Sequence, residues 1–149
     1  MSKSKVVLVV DDDETSRDQL AMVLRLSGHK AITAGNGHDA WTILDIVRLS
    51  PDYIISDYNM PIVDGLELLR RVRADNRTTN IPFILMSGGV FVSEEDKTPL
   101  EVVVKDLGAD FWERPCDFFT LVEKLLSGDK GGGGGQWLRM AQMLYLKQL

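Results

Sequence analysis

The sequence has very few of the residues that build disulfides or metal–thiolate sites. Its 149 residues include one cysteine, Cys116, and two histidines, which excludes a disulfide framework and a cysteine-based metal site. The histidines, His29 and His38, fall in predicted surface turns and lack metal-ligand spacing. The chemistry of any site must therefore rest on other side chains.

Long apolar runs and an excess of positive charge are also missing. No hydrophobic stretch is long enough to span a bilayer, and residues 1–5 show no signal-peptide or myristoylation pattern. Acidic residues outnumber basic ones by 22 to 17, which argues against nucleic acid or an anionic membrane as the main partner. With 44% hydrophobic residues, the chain is predicted to form one cytoplasmic domain with a short appendage.

Apolar runs typical of strands alternate with segments of helical periodicity along the chain. The predicted strands are residues 5–10, 30–34, 53–55, 81–86 and 111–112. The predicted helices are residues 14–27, 37–49, 64–74, 100–107 and 116–126. Five such strand–helix units predict a doubly wound α/β fold with a parallel sheet.

Polar and charged side chains stand at the carboxyl ends of these predicted strands. In chain order they are Asp11, Asp12 and Asp13, then Asp57, Ser87 and Arg114. Ligands of open α/β sheets bind beyond the carboxyl ends of the strands, so we expect these groups to share a crevice. Two carboxylates about 4 Å apart repel by roughly 4 kcal/mol at an effective dielectric near 20. The cluster therefore favours a cation, and ligation by oxygen alone indicates Mg²⁺.

Each of these residues also has a purely structural interpretation. An acidic triplet after a strand often caps the next helix, and Asp57 alone would suit a helix N-cap. Ser87 alone would be an ordinary strand end, and Arg114 before a proline would be a surface charge. Their common position at strand ends favours the functional interpretation.

Four motifs carry a resemblance to a known family. They are VVLVVDDD, PDYIISDYNMPIVDGLELL, IPFILMS and GADFWERP, and together they resemble the receiver domain of bacterial response regulators, the CheY-like family. The similarity covers about residues 5–127. It implies a flavodoxin-like sheet of five parallel strands, in the order 2-1-3-4-5, flanked by five helices.

The resemblance implies a phosphoacceptor and a metal site. Asp57 would accept a phosphoryl group from a sensor histidine kinase, a phosphotransfer protein or a small donor such as acetyl phosphate. Asp11, Asp12, Asp57 and the main-chain carbonyl of Asn59 would bind Mg²⁺ or Mn²⁺. Such a domain is not an enzyme in the usual sense, because it catalyses only its own phosphorylation and dephosphorylation. It signals to a downstream protein, here unknown, by protein–protein contact.

The same resemblance implies that Ser87 and Phe111 form the switch, and three departures qualify it. Arg114 stands where the family has lysine, which is not a conservative exchange. The GADFWERP motif is one residue shorter than usual, so Trp112 is an alternative to Phe111. The segment between Ser87 and the fourth helix is longer than usual and predicts an enlarged loop.

Two further functions stay open beside a stand-alone, phosphorylation-controlled receiver. One is an atypical receiver that acts as an interaction scaffold independently of Asp57, favoured by Arg114 and the altered loop. The other is a hydrolase that uses Asp57 as nucleophile on small phosphates, which ranks low because the sequence has no cap domain.

The C-terminal segment follows a pentaglycine. Residues 128–135 predict a flexible linker, either engineered or a natural hinge, after a receiver domain of residues 1–127. Residues 136–149 predict an amphipathic helix that binds a partner through Trp137, Met140, Leu144 and Tyr145. It would dock on a receiver groove in cis or in a neighbouring molecule; a sixth packed helix or a mere tail are the alternatives.

Overall fold

The computed structural model describes residues 4–93 and 95–126. Five strands and five helices alternate within them: β1 (Val6–Val10), α1 (Glu14–Leu26), β2 (Lys30–Ala34), α2 (Gly37–Asp45), β3 (Tyr53–Asp57), α3 (Gly65–Ala74), β4 (Phe83–Ser87), α4 (Leu100–Asp106), β5 (Asp110–Glu113) and α5 (Phe118–Leu126). The strands are parallel and lie in the order β2-β1-β3-β4-β5. The predicted fold and strand order are confirmed.

The central strands are apolar throughout because helices cover both faces of the sheet. Leu8 and Val10 of β1 point into a core under α2, α3 and α4. Val7 and Val9 point into a second core under α1 and α5. All four are at most 1% exposed. This two-sided burial explains the unbroken hydrophobic runs in the sequence.

The second helix is shorter than its sequence pattern predicts. It ends at Asp45 rather than at residue 49, and Arg48 adopts a left-handed conformation with φ of 60°. As a result Ile46 and Val47 are 73% and 68% exposed. The apolar residues continue at helical spacing past the end of the helix. This spacing depends on residue type alone, so it does not reveal the backbone turn that ends the helix.

Other element boundaries also differ from the prediction, by one or two residues, and two of these differences have a clear local cause. The fourth strand begins at Phe83 rather than at residue 81, since Pro82 has no N–H to donate to a neighbouring strand; its carbonyl accepts a hydrogen bond from Ile54 at 2.9 Å. The fifth helix begins at Phe118 rather than at residue 116. Asp117 precedes it, and its carboxylate accepts the Phe119 N–H at 3.0 Å, as an N-cap does.

The prediction that His29 lies in a surface turn is wrong. The side chain is 7% exposed, and its Nδ1 accepts a hydrogen bond from the Lys5 N–H at 2.9 Å. The turn before β2 folds back over the start of β1, which buries the imidazole. His38 is exposed in the first turn of α2.

The described helices include none that is long and apolar enough to cross a membrane. The predicted linker 128–135 and the predicted tail helix 136–149 lie outside the described residues. Their assignments remain predictions, and so do the binding roles of Trp137, Met140, Leu144 and Tyr145.

The start of α3 packs directly against the end of β3. Asp64 caps this helix by accepting the Glu67 N–H at 2.8 Å, and the Gly65 N–H donates to the Tyr58 carbonyl at 2.8 Å. A Cβ on Gly65 would overlap the carbonyl oxygen of Asp57 and lie 2.6 Å from Leu85 Cδ1. Only glycine lets the helix come this close to the strand.

We therefore expect Gly65→Ala to destabilise the domain by about 1–3 kcal/mol, the usual cost of overpacking. Urea unfolding measures the loss. Gly35→Ala is the control, because a Cβ there would meet only the end of the Arg17 side chain, at 3.4 Å. Equal stability of the two variants would contradict the close contact.

Candidate functional site

The acidic triplet after β1 divides between two structural roles. Asp13 is the N-cap of α1, accepting the Ser16 N–H at 3.2 Å. Asp11 is 1% exposed, and its Oδ1 accepts the Asp13 N–H at 3.0 Å. Asp12 is exposed. The capping interpretation is thus right for one member, while another turns inward beneath the edge of the sheet.

The carboxylates of Asp11, Asp12 and Asp57 converge at that edge. Each offers one oxygen, and these oxygens lie within 4.8 Å of one another. The strand pairing causes this, since β1 and β3 are neighbours and Val10 pairs with Ser56. The donors are all oxygen, which fits Mg²⁺ or Mn²⁺. Asn59 lies in the exposed segment just after β3, and the metal role of its carbonyl remains a prediction.

Arg114 reaches the same carboxylates from the end of β5. Its Nη1 lies 3.0 Å from Asp57 Oδ1 and 3.2 Å from Asp11 Oδ2. The side chain is 21% exposed, and the Arg114 N–H donates to the Ser87 carbonyl at 2.8 Å. The interpretation of Arg114 as an ordinary surface charge is therefore wrong.

Burial and like charge make this cluster electrostatically costly. Burial raises the pKa of Asp11, and burial together with the neighbouring Asp11 charge raises the pKa of Asp57. Arg114 opposes both increases. Burial alone would lower the pKa of Arg114, but the two carboxylates raise it overall. One guanidinium facing three carboxylates leaves an excess of negative charge, which a bound cation would offset.

Ser87 ends β4 beside this cluster, opposite Glu113 of β5. It is 1% exposed, and its hydroxyl oxygen accepts the Gly89 N–H at 3.0 Å. Ser87 and Asn59 both line a cavity of about 330 Å³ at the carboxyl edge. The hydroxyl is thus placed beside the acidic site and currently holds the first turn of the next loop.

A long loop precedes α4, as predicted, and its described residues are 88–93 and 95–99. Val92 donates its N–H to the Thr98 carbonyl at 3.0 Å, which folds the loop back on itself. The Tyr58 hydroxyl donates to the Val92 carbonyl at 2.8 Å. Tyr58 is not among the predicted site residues, although its place directly after Asp57 is a signal that it could connect the site to its surroundings.

The two aromatic residues of β5 lie on opposite faces of the sheet. Phe111 packs against the same core as Val92 of the long loop. Trp112 packs against the other core, with Lys124 Nζ 5.0 Å from its ring centroid. Phe111 is therefore on the face that carries the loop and Tyr58, which favours it over Trp112; its switch role remains a prediction.

A parallel sheet of this strand order, with its acidic edge at the ends of β1 and β3, places the chain in the class of receiver-type signalling domains. Comparison of the sequence with known protein families supports the same class. Residues 7–125 match the response regulator receiver domain family, and the chain belongs to that family.

Curated relatives include bacterial and plant proteins. The chain is 33% identical over 122 residues to the phosphate regulon transcriptional regulatory protein PhoB of Pseudomonas aeruginosa, covering 81% of this chain and 50% of PhoB. It is 33% identical over 123 residues to the two-component response regulator ORR3 of Oryza sativa, covering 80% and 89%. It spans only 12% of the rice response regulator-like protein PRR37.

Solved structures show the same fold. The chemotaxis response regulator CheY4 of Vibrio cholerae superposes with a TM-score of 0.69 at 28% identity, over 84% of this chain and 98% of that one. The receiver domain of a signal transduction histidine kinase from Syntrophus aciditrophicus gives 0.69 at 32% identity, over 86% and 94%.

The raised pKa of Asp57 predicts that Asp57→Asn stabilises the metal-free protein at neutral pH. With a raised folded pKa, the stability contributed by Asp57 is present below its ordinary value of 3.8 and is lost as the pH rises through the folded value. Removing the charge should therefore increase the free energy of unfolding above that window. The difference should disappear in acid.

Urea unfolding in chelator at several pH values measures this effect. Asp18→Asn, on the exposed surface of α1, is the matched control and should change little. An Asp57→Asn protein that is less stable than the parent at neutral pH would show that the ion pair with Arg114 outweighs burial and repulsion.

Proposed function

We propose that the chain accepts a phosphoryl group on Asp57 from a histidine kinase or phosphotransfer protein and signals through protein–protein contact. The observation that supports this most directly is the convergence at one edge of three carboxylates within 4.8 Å. Arg114 is paired with two of them. This arrangement offers a nucleophile, oxygen ligands for a metal and a cation for phosphoryl oxygens.

The chemistry requires position and charge more than covalent assistance. An Asp57 carboxylate oxygen attacks phosphorus while the donor's bond breaks, the P–N bond of phosphohistidine or the P–O bond of acetyl phosphate. Arg114, 3.0 Å from Asp57 Oδ1, is close enough to take a phosphoryl oxygen. The Ser87 hydroxyl donates to another. Water later hydrolyses the aspartyl phosphate.

The metal in this proposal is Mg²⁺ or Mn²⁺, held by Asp11, Asp12, Asp57 and the Asn59 carbonyl. When bound, it supplies positive charge that stabilises the phosphoryl group in transfer. The excess of carboxylates over guanidinium at the site supports this assignment.

Phosphorylation would reach the surface through groups already in contact with the site. If the Ser87 hydroxyl turns to the phosphoryl group, it leaves the Gly89 N–H that it now accepts at 3.0 Å. The loop that begins there is tied to Tyr58 through Val92, and Val92 packs against the same core as Phe111. The added charge then biases two arrangements of this face.

The first test is incubation with Mg²⁺ and acetyl phosphate, followed by intact-mass measurement. We expect one phosphoryl adduct that requires Mg²⁺ and is absent from Asp57→Ala. A folded, Mg²⁺-binding protein that forms no adduct would exclude acetyl phosphate as a donor. Failure with a broad panel of histidine kinases as well would contradict phosphorylation altogether.

The second candidate function, a phosphorylation-independent scaffold, has one specific observation in its favour. Arg114 already neutralises part of the charge on Asp57 and Asp11, so the protein has a stable ion-paired state without phosphate or metal. Failure of every donor in the test above would make this scaffold the better function.

Arg114 also competes with a metal for the same carboxylates, and Arg114→Gln tests this competition. Removing a positive charge next to the ligands should tighten Mg²⁺ binding at least tenfold, about 1.4 kcal/mol. Phosphorylation by acetyl phosphate should slow by roughly 10²-fold, the usual loss when one charge-stabilising donor is removed.

Calorimetric Mg²⁺ titration and adduct formation measure the two effects. Arg17→Gln is the control, since Arg17 donates to the Asp11 main-chain carbonyl, at 3.1 Å, and to no carboxylate of the cluster. If Mg²⁺ binds Arg114→Gln no more tightly than it binds the parent protein, Arg114 does not compete with the metal for these carboxylates.

Several parts of the proposal depend on the whole protein. The chain spans half of PhoB and 12% of PRR37, so stand-alone action, the cognate kinase and the downstream protein are proposals only. A cytoplasmic location also remains a prediction, as does docking of the tail on a receiver groove in cis or in a neighbouring molecule.

A further inference from the structure

A groove of about 720 Å³ lies between α1 and the start of α5. Its walls are largely apolar and come from both helices and from the turn after β5: Met22, Val23, Pro115, Cys116, Phe118 and Phe119. One end reaches Arg114 and Gly88, beside the acidic site. A groove of this size and character suits the apolar face of a short helix.

We propose that residues 136–149 of this same chain dock in the groove in cis. This goes beyond the proposed phosphoacceptor function, because it names the surface and the segment that covers it. Three features of the chain support this docking: the length of chain after α5, the pattern of apolar side chains in the segment, and the distribution of charge.

The connection is long enough to bring the segment back to the groove. The helix α5 has nine residues and is about 13 Å long at 1.5 Å per residue. Residues 127–135 follow it and, fully extended, would reach about 30 Å. As a glycine-rich coil they would have an end-to-end distance of roughly 17 Å. The tail can therefore return from the end of α5 to the groove at its start.

The apolar pattern of the segment matches the walls of the groove. In helical spacing, Trp137, Met140 and Leu144 fall on one stripe. The groove presents two phenylalanine rings and the Met22 thioether, partners with which aromatic and methionine side chains make favourable contacts. Fourteen residues rarely hold a helix alone, so the groove would also supply the packing that the segment lacks.

The charges are complementary as well. The segment carries Arg139 and Lys147 and no acidic side chain. Asp117 lines the groove, and the charge of Arg114 at its end is already paired with Asp11 and Asp57. Attraction across the groove therefore favours this segment over an acidic peptide.

Occupancy of the groove would restrict access to Asp57 by proteins more than by small molecules. A protein donor must cover the approach beside Arg114 and Gly88 to bring its phosphohistidine to Asp57, whereas acetyl phosphate needs only the crevice itself. This consequence rests on the proposed function; the docking does not.

Cys116 provides a direct measurement, because it lines the groove and is the chain's one cysteine. The test is the rate of iodoacetamide modification, followed by intact mass, in the full chain. Trp137→Ala/Met140→Ala removes the proposed anchors, and Gln142→Ala/Leu146→Ala is the matched control on the opposite face of the predicted helix.

We expect modification to be about tenfold faster in the anchor variant. A tether of this length gives an effective concentration of about 1 mM. With an intrinsic Kd near 100 µM, roughly one groove in ten would then be open in the parent protein. The control should change the rate far less. Equal rates in the parent and the anchor variant overturn the proposal. Protection that rises with protein concentration also overturns docking in cis, because it assigns the groove to the tail of another molecule. Neither measurement requires phosphorylation, so the docking proposal is tested separately from the chemistry of Asp57.

Discussion

The contact of one arginine nitrogen with two carboxylates, one buried and one half-buried, is the interaction on which the site depends. Arg114 comes from β5, Asp11 follows β1 and Asp57 ends β3. Without a cation the like charges would disfavour bringing these ends together. Removing Arg114 would leave the carboxylates of Asp11 and Asp57 without their cation, and the typical cost of breaking a buried ion pair in this way is about 3–5 kcal/mol. The parallel sheet brings the carboxylates close together, and the positive charge of Arg114 offsets the repulsion between them.

Arg114 contacts both carboxylates through a single nitrogen atom. Both ion pairs use Nη1, so the resting site does not depend on the two-pronged donor geometry that distinguishes arginine from lysine. The guanidinium plane instead lies near the ring of Phe118, 5.9 Å from its centroid. The site and the groove between α1 and α5 thus share one side chain, which connects the electrostatics of Asp57 to the packing of a neighbouring surface.

Much of the fold was predictable because its determinants are local. Apolar runs, helical spacing and the glycines after helices indicated five strand–helix units, and the strand ends indicated where Asp11, Asp57, Ser87 and Arg114 would meet. What could not be predicted depends on tertiary contacts or single backbone angles. The sequence shows neither that Asp13 caps a helix while Asp11 is buried, nor that Tyr58 bonds to Val92, 34 positions away.

Phe111 and Trp112 are consecutive residues, yet each completes a different core. Side chains of a strand alternate, so adding or deleting one residue inside β5 would exchange the two rings and shift the partner of Leu85 from Phe111 to a neighbour. The turns at Gly108 and Pro115 can absorb a single residue, but the strand can change only by two. Single-residue insertions and deletions among related chains should therefore fall in the turns on either side of this edge strand and not within it.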